Sequence, residues 1–112
     1  MARRLSTAPL PGRPVRGSRT GRPLMALLDL LGRRWALRLL WELREGRLTF
    51  RELQAACGGL SPTVLRRRTA ELREAGIADV APGGGYGLTA QGRALVGALE
   101  PLWRWAGRWK PV

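Results

Sequence analysis

A chain of 112 residues is one domain at most. It is 45% apolar, yet 20 basic residues face 8 acidic ones, giving a formal charge of +12. It contains no histidine and a single cysteine, Cys57. The commonest general base and metal ligand are therefore missing, and neither an internal disulfide nor a cysteine-built zinc site can form. No catalytic residue, metal or cofactor is expected.

No apolar run approaches the ~18 residues of a membrane span. Residues Leu24 to Leu31 are too few, and Asp29 interrupts them. No small-residue cleavage site follows that run, which argues against a signal peptide. The unpaired thiol fits a reducing interior, so a cytoplasmic, nucleoid-associated protein with no membrane partner is expected. A charge this one-sided attracts polyanions and repels its own copies. An arginine-rich solvated surface is the plainer alternative.

Residues 1–22 hold six arginines and no acid, are rich in Pro, Gly and Ser, and show no period. Such a segment buries too little apolar area to offset its ordering entropy, so a disordered tail is expected. It is either inert or an arm that reaches DNA. The domain is expected to occupy 23–112. "PLMALLDLLG" reads as a short helix opened by Pro23 and stopped at Gly32. "RRWALRLLWELREG" reads as a second, with Trp35, Leu39, Leu40 and Leu43 as its main stripe. Leu37 and Trp41 extend apolar character to its far side, which predicts burial on several sides.

In "LTFRELQAACGG", Thr49 and Glu52 form a capping box, and Leu48 and Leu53 occupy staple positions. After Gly58–Gly59 the next helix starts at once. Ser61 is its cap, Pro62 its first residue, Leu60 and Leu65 a second staple, and Gly76 its end. Two short helices joined by a tight glycine turn make a helix-turn-helix pattern. "IADV", "APGGG" and "YGL" then predict a small hairpin, a wing in position and size. Thr89 caps a last helix over 89–110, in which Pro101 predicts a kink. The expected fold is mainly α with one small β-hairpin, a winged helix-turn-helix domain with added N- and C-terminal helices.

The row Arg66–Arg67–Arg68 cannot share one face at roughly 100° per residue. With Leu65 at the packed centre, Arg66 and Arg67 project outward and Arg68 borders the core. Thr63, Ala70 and Glu74 share the outward half. A strip that is first small and polar, then basic, suits a helix entering a major groove by its N-terminal half. Arginine there contacts guanine bidentately, or a phosphate. The alternative is a surface helix in which Arg67 pairs with Glu71 or Glu74. In the last helix Leu95, Leu99, Leu102, Ala106 and Trp109 form a stripe with Trp103 and Trp105 off it. Aromatics on several sides and a modest core favour a dimer that packs this helix with Leu27, Leu28 and Leu31, the alternative being a monomer in which the helix covers its own core.

Taken together, "LLGRRWALRLLWEL", "GRLTFRELQAACGGLSPTVLRRRTAEL" and "YGLTAQGRAL" resemble the HxlR-type branch of bacterial winged-helix regulators, with the MarR-like regulators as broader relatives. The resemblance runs from Pro23 to about Trp109. It implies a homodimer bound to a palindromic operator in double-stranded DNA and regulating transcription. The helix from Ser61 would lie in the major groove, the wing on the backbone, and the first and last helices at the two-fold. The candidate DNA-binding residues are Thr49, Arg51, Ser61, Pro62, Thr63, Arg66, Arg67, Arg68, Ala70 and Gly84. The candidate dimer residues are Leu27, Leu28, Leu31, Leu95, Leu99, Leu102, Trp103, Trp105 and Trp109.

Several features depart from that family pattern. No cysteine precedes the first helix, and Cys57 stands at an apolar family position. The wing is short and carries no arginine, so that either the tail or Arg93 compensates or the wing contact is weak. Thr69 replaces a core leucine. Arg38 and Trp41 stand exchanged. The MarR-like relatives also suggest a small apolar effector beneath the tryptophans. The competing function is a winged helix used only for protein–protein contact.

Overall fold

The computed structural model describes residues 8–112. Five helices and one hairpin follow in the expected order: α1 Pro23–Leu31, α2 Ala36–Leu43, α3 Phe50–Ala56, α4 Pro62–Glu74, β1 Ala78–Val80, β2 Tyr86–Leu88 and α5 Ala90–Arg108. Leu39, Leu40, Leu43, Leu53, Leu65 and Leu72 are almost wholly buried and form the centre of one core. Val96, Leu88 and Ile77 close it from the α5 and hairpin side.

Local chemistry sets most element ends. Thr49 accepts from the Glu52 N–H at 3.1 Å and the Glu52 carboxylate accepts from the Thr49 N–H at 2.8 Å, so both halves of the capping box form. Gly58 and Gly59 have φ of 72° and 82°. Two successive left-handed residues reverse the chain between α3 and α4 without a Cβ penalty. The Gln54 side chain secures the turn by donating to the Leu60 carbonyl at 2.9 Å. At the far end of α4, Gly76 (φ 76°) makes a Schellman cap: its N–H reaches the Arg73 carbonyl at 3.0 Å, and the Ile77 N–H reaches that of Leu72 at 2.9 Å.

The hairpin is antiparallel, with Ala78 opposite Leu88, Asp79 opposite Gly87 and Val80 opposite Tyr86. A third short segment was not legible beforehand: Leu48 and Tyr86 exchange two backbone bonds at 3.0 and 2.7 Å. The bridge draws the stretch before α3 alongside β2.

Helix α2 starts later than expected. Trp35 takes the left-handed conformation at φ 76°, the only non-glycine residue among those described to do so, and the helix begins at Ala36. The turn before it is held by α4: Arg33 pairs with Glu71, and the Arg34 carbonyl accepts from Arg68. Leu37 and Trp41 are not buried as the sequence predicts, being 36% and 37% exposed. Trp41 meets Trp103 edge-on at 4.9 Å and carries the Arg44 guanidinium at 3.6 Å. The Arg38–Trp41 exchange now has a physical account. Arg38 donates to the Ala56 carbonyl at the end of α3 at 2.8 Å, and pairs with Glu42 at the same distance. Helix α5 continues through Pro101 as one α-helix.

Over 8–22 the chain differs from a disordered tail; the same expectation for 1–7 lies outside the described residues. Ala8 and Pro9 are buried. Val15 and Ser18 exchange backbone bonds at 2.9 and 3.0 Å, and the Gly12 N–H donates to the Gly21 carbonyl at 2.9 Å. Glycines at 12, 17 and 21, all at positive φ, supply turns that low hydrophobicity alone does not forecast.

Gly92 on the first turn of α5 sits so close to Ile77 that a Cβ would overlap the Ile77 carbonyl oxygen. Alanine is the better helix former by about 1 kcal/mol, but overlap with fixed backbone outweighs that. Gly92→Ala is expected to lower stability by roughly 1–3 kcal/mol, read as a reduced midpoint in urea unfolding.

Candidate nucleic-acid interface

Helix α4 is divided lengthwise. Leu65, Thr69, Glu71 and Leu72 are buried. Ser61, Pro62, Thr63, Arg66, Arg67 and Ala70 are exposed. The wheel drawn from sequence is therefore reproduced where it matters: Arg66 and Arg67 leave the packed side. Thr69 fits the core in place of a leucine by donating its hydroxyl to the Leu65 carbonyl at 2.9 Å, which satisfies the buried oxygen within its own helix. Ser61 accepts from the Val64 N–H at 3.4 Å, a long cap bond.

The alternative pairing of Arg67 with Glu71 or Glu74 does not form. Glu71, 5% exposed at its side chain, is taken by Arg33 at 2.6 Å and Arg68 at 3.1 Å. Glu74 is taken by Arg13 at 3.4 Å. Arg67 has no carboxylate partner among the described residues. Arg66 lies over the Phe50 ring at 5.3 Å, and Phe50 leans on Tyr86 at 6.3 Å. An aromatic shelf thus lies under that guanidinium on the hairpin side of α4, while the residue as a whole stays exposed.

Arg68 differs from its expected place among the DNA-contacting residues. Its side chain is 16% exposed, donates to the Arg34 carbonyl at 2.7 Å and pairs with Glu71. Its donors hold α4 against the α1–α2 turn. Around the helix, Thr49 and Arg51 at the start of α3 are exposed, and Gly84 lies exposed in the wing turn at φ 97°. The Thr49 hydroxyl is engaged in its cap.

One basic side chain at the hairpin was not foreseen. The wing has no arginine of its own, but Arg47 supplies one from the adjoining segment. It donates to the Gly85 carbonyl at 2.9 Å and pairs with Asp79 at 2.7 Å, across the two strands. Gly87 makes room for it: a Cβ there would stand 2.8 Å from Arg47 Cγ. The Leu48–Tyr86 pairing that brings Arg47 here links residues 38 apart, a distance at which sequence patterns carry no signal. Arg93, the other expected substitute, donates to the Leu88 carbonyl at 3.0 Å.

The expected dimer residues separate into two groups. Leu28, Leu102, Trp105 and Trp109 are 52%, 56%, 51% and 63% exposed. Trp105 and Trp109 stack on each other at 5.6 Å. Leu31, Leu95, Leu99 and Trp103 instead pack on this chain's own core, and Leu27 is half-buried. Leu24, not foreseen, is as exposed as Trp109.

Cys57 is buried, and burial pushes its thiol pKa up, with Arg38 opposing and Glu42 reinforcing the shift. A raised pKa keeps the thiol neutral, hence poorly nucleophilic. Among the described residues no cluster of metal-ligating side chains exists, and no helix is long and apolar enough to cross a membrane.

A capped helix with a bare basic face, preceded by a two-glycine turn and followed by a short hairpin, defines a winged helix-turn-helix protein. The HxlR-like helix-turn-helix family matches residues 30–112, and the chain belongs to that family. It is 35% identical over 88 residues, 73% of this chain and 82% of the other, to the HTH-type transcriptional regulator YvaP of Bacillus subtilis. Among solved structures it is similar to quinone-bound YodB of B. subtilis, with a TM-score of 0.71 and 27% identity over 77% of this chain and 97% of that one. A Thermoplasma volcanium protein described as a possible HxlR family transcriptional factor superposes with a TM-score of 0.66 and 28% identity, covering 72% and 78% of the two chains. The chain is thus a transcriptional regulator of the HxlR/MarR type, in a family of regulators and not of enzymes.

Two outcomes test this geometry. Glu71→Gln removes the charge that Arg33 and Arg68 share, and is expected to cost about 1–3 kcal/mol of stability, measured by denaturant unfolding. Cys57 is expected to react slowly with maleimide at pH 7–8 in the folded protein and quickly in denaturant. The sign for stability follows from the raised pKa. The neutral thiol's contribution is complete below the unfolded pKa and is lost as pH rises toward the folded one.

Proposed function

We propose that the chain binds double-stranded DNA as a homodimer on a palindromic operator, with α4 in the major groove of each half-site. The carrying observation is the outward face of α4. Thr63, Arg66, Arg67 and Ala70 are exposed there, and neither arginine is neutralised by a carboxylate among the described residues. Small residues at the N-terminal half admit close approach, and guanidinium groups suit base edges or phosphates. Arg51, Ser61 and Pro62 flank this face, and Gly84 with Arg47 carries the wing to the backbone.

The homodimer reading is supported by the apolar surface of Leu24 and Leu28 on α1 and of Leu102, Trp105 and Trp109 on α5. Side chains of this size exposed together mark an interaction surface. A second copy of the chain also doubles the recognition helix, which matches a two-fold operator with half-sites about 34–36 Å apart. A small apolar effector has less support. The apolar cleft between Pro9, Leu27, Leu30 and Leu95 measures about 200 Å³, below the ~300 Å³ where ordinary ligand pockets begin. As a DNA-binding regulator the protein would act in the cytoplasm, at the nucleoid.

Selection of bound sequences from a random DNA pool tests the proposal. A two-fold motif is expected, and Arg66→Ala and Arg67→Ala should each weaken binding to it by ~1–3 kcal/mol and relax base preference. Normal binding by both would remove α4 from the groove. Affinity should fall by ~10³–10⁵ between 50 and 200 mM salt if ~6–10 phosphates are contacted. A pool that yields no enriched DNA, with a protein partner retained instead, would favour the interaction-module reading. Leu102→Glu with Trp109→Glu is expected to shift sedimentation from dimer to monomer.

A further inference from the structure

We propose that residues 8–22 form a preorganised clamp for the DNA backbone, in which Arg16 and Arg67 together take a phosphate flanking the groove entered by α4. This rests on the DNA-binding reading above and extends it to a second element of the chain.

The segment is built to hold one shape. Its centre is a tight turn closed by the two Val15–Ser18 backbone bonds, with Gly17 at φ 83° inside it. Its base is closed by the Gly12–Gly21 bond, and a Cβ on Gly21 would overlap the Arg13 carbonyl oxygen. Contacts with α1 and α4 dock it. The Arg16 N–H donates to the Asp29 carboxylate on α1 at 3.0 Å, and Arg13 pairs with Glu74 at the end of α4. The backbone of Arg16 is therefore fixed, while its guanidinium has no carboxylate partner among the described residues.

Arg16 and Arg67 line one cleft of about 570 Å³ between this segment, α1 and α4. Arg33, Arg68, Asp29 and Glu71 complete its charged lining. Four arginines against two acids leave it at +2. Both acids are already engaged: Glu71 by Arg33 and Arg68, Asp29 by Arg33 at 3.8 Å and by the Arg16 N–H. The surplus charge belongs to Arg16 and Arg67. Two guanidinium groups in one cleft repel each other unless an anion lies between them, and among the described residues both carboxylates of the lining are already engaged elsewhere.

The position selects the anion. Arg67 also belongs to the exposed face of α4 next to Arg66, so the cleft shares a residue with the face proposed to meet the groove. The strand bordering a major groove presents a continuous row of phosphates there. Fixing the arginine before binding removes an ordering cost that a loose tail would carry.

The test compares full-length variants on the DNA selected by the wild-type protein, by fluorescence anisotropy across a salt series. Arg16→Ala is expected to weaken binding roughly three- to tenfold and to lower the slope of log affinity against log salt by about 0.9 per protomer, with base preference unchanged. Arg16→Lys, which keeps the charge, should restore the slope. Circular dichroism should be unaltered, because the docking bond uses the backbone. If Arg16→Ala binds with wild-type affinity and slope while Arg66→Ala and Arg67→Ala are weakened, the clamp is wrong and the α4 reading stands. If all three bind as wild type, both are wrong. If calorimetry shows inorganic phosphate or benzoate binding that Arg16→Ala abolishes, with DNA affinity untouched, the cleft is a small-anion site and the clamp is overturned.

Discussion

One buried carboxylate fixes the rotation of α4. An apolar face alone orients a helix loosely, because leucines tolerate some rolling. Glu71 does not. Its two oxygens are held by Arg33 from the α1–α2 turn and by Arg68 three residues back on α4, and Arg68 reaches on to the Arg34 carbonyl. Rolling α4 would break the Arg33–Glu71 and Arg68–Arg34 bonds, which tie it to that turn, in a setting that water scarcely reaches. A buried ion pair contributes little net stability once desolvation is counted, and its better-attested use is to specify register. Here the specified quantity is the direction in which Arg66 and Arg67 leave the body.

The wing's position follows from the same helix. The Schellman cap at Gly76 turns the chain, and Ile77 enters the core beside Leu72. The Thr89 hydroxyl then donates back to the Gly76 carbonyl at 2.6 Å, and the Thr89 N–H donates to that of Ile77 at 3.0 Å. Both ends of the hairpin are thereby tied to the end of α4. Leu48 adds a single bridge beside β2, Arg47 crosses the two glycines, and Phe50 extends a shelf from Tyr86 to Arg66. The hairpin and α4 are one mechanical unit, built on contacts that converge on residues 76–89.

What was legible in the chain was what neighbours decide. Thr49 with Glu52, Ser61 with Pro62, and Gly76 after a leucine stripe each mark an end through groups three or four positions away, and each end fell where expected. The outward course of Arg66 and Arg67 was legible for the same reason, since helical pitch is local. The rest depended on distant partners. Trp35 turns left-handed in a bend held by α4, from more than 30 residues away. Arg68 looks like its two neighbours until Glu71 and Arg34 claim it. Arg13 meets Glu74 across 61 positions. Leu95 and Leu99 share an apolar stripe with the exposed end of α5, and only the packed body separates the turns it covers from those it leaves bare.

The net charge acquires meaning from where the acids stand. All eight have partners: seven pair with arginines, and Glu52 caps α3 through the Thr49 N–H. None occurs from Leu53 to Ala70, the stretch that holds the glycine turn and the N-terminal half of α4. The +12 surplus is therefore not an even coat of arginine. Acids sit where guanidinium groups serve the fold and are missing where an incoming polyanion would need them uncompensated. Arginine is the fitting residue for both tasks, since its planar fork pairs bidentately with carboxylates inside the protein and with phosphates or guanines outside it. The same side chain thus holds the helix and arms it, and the placement of carboxylates decides which.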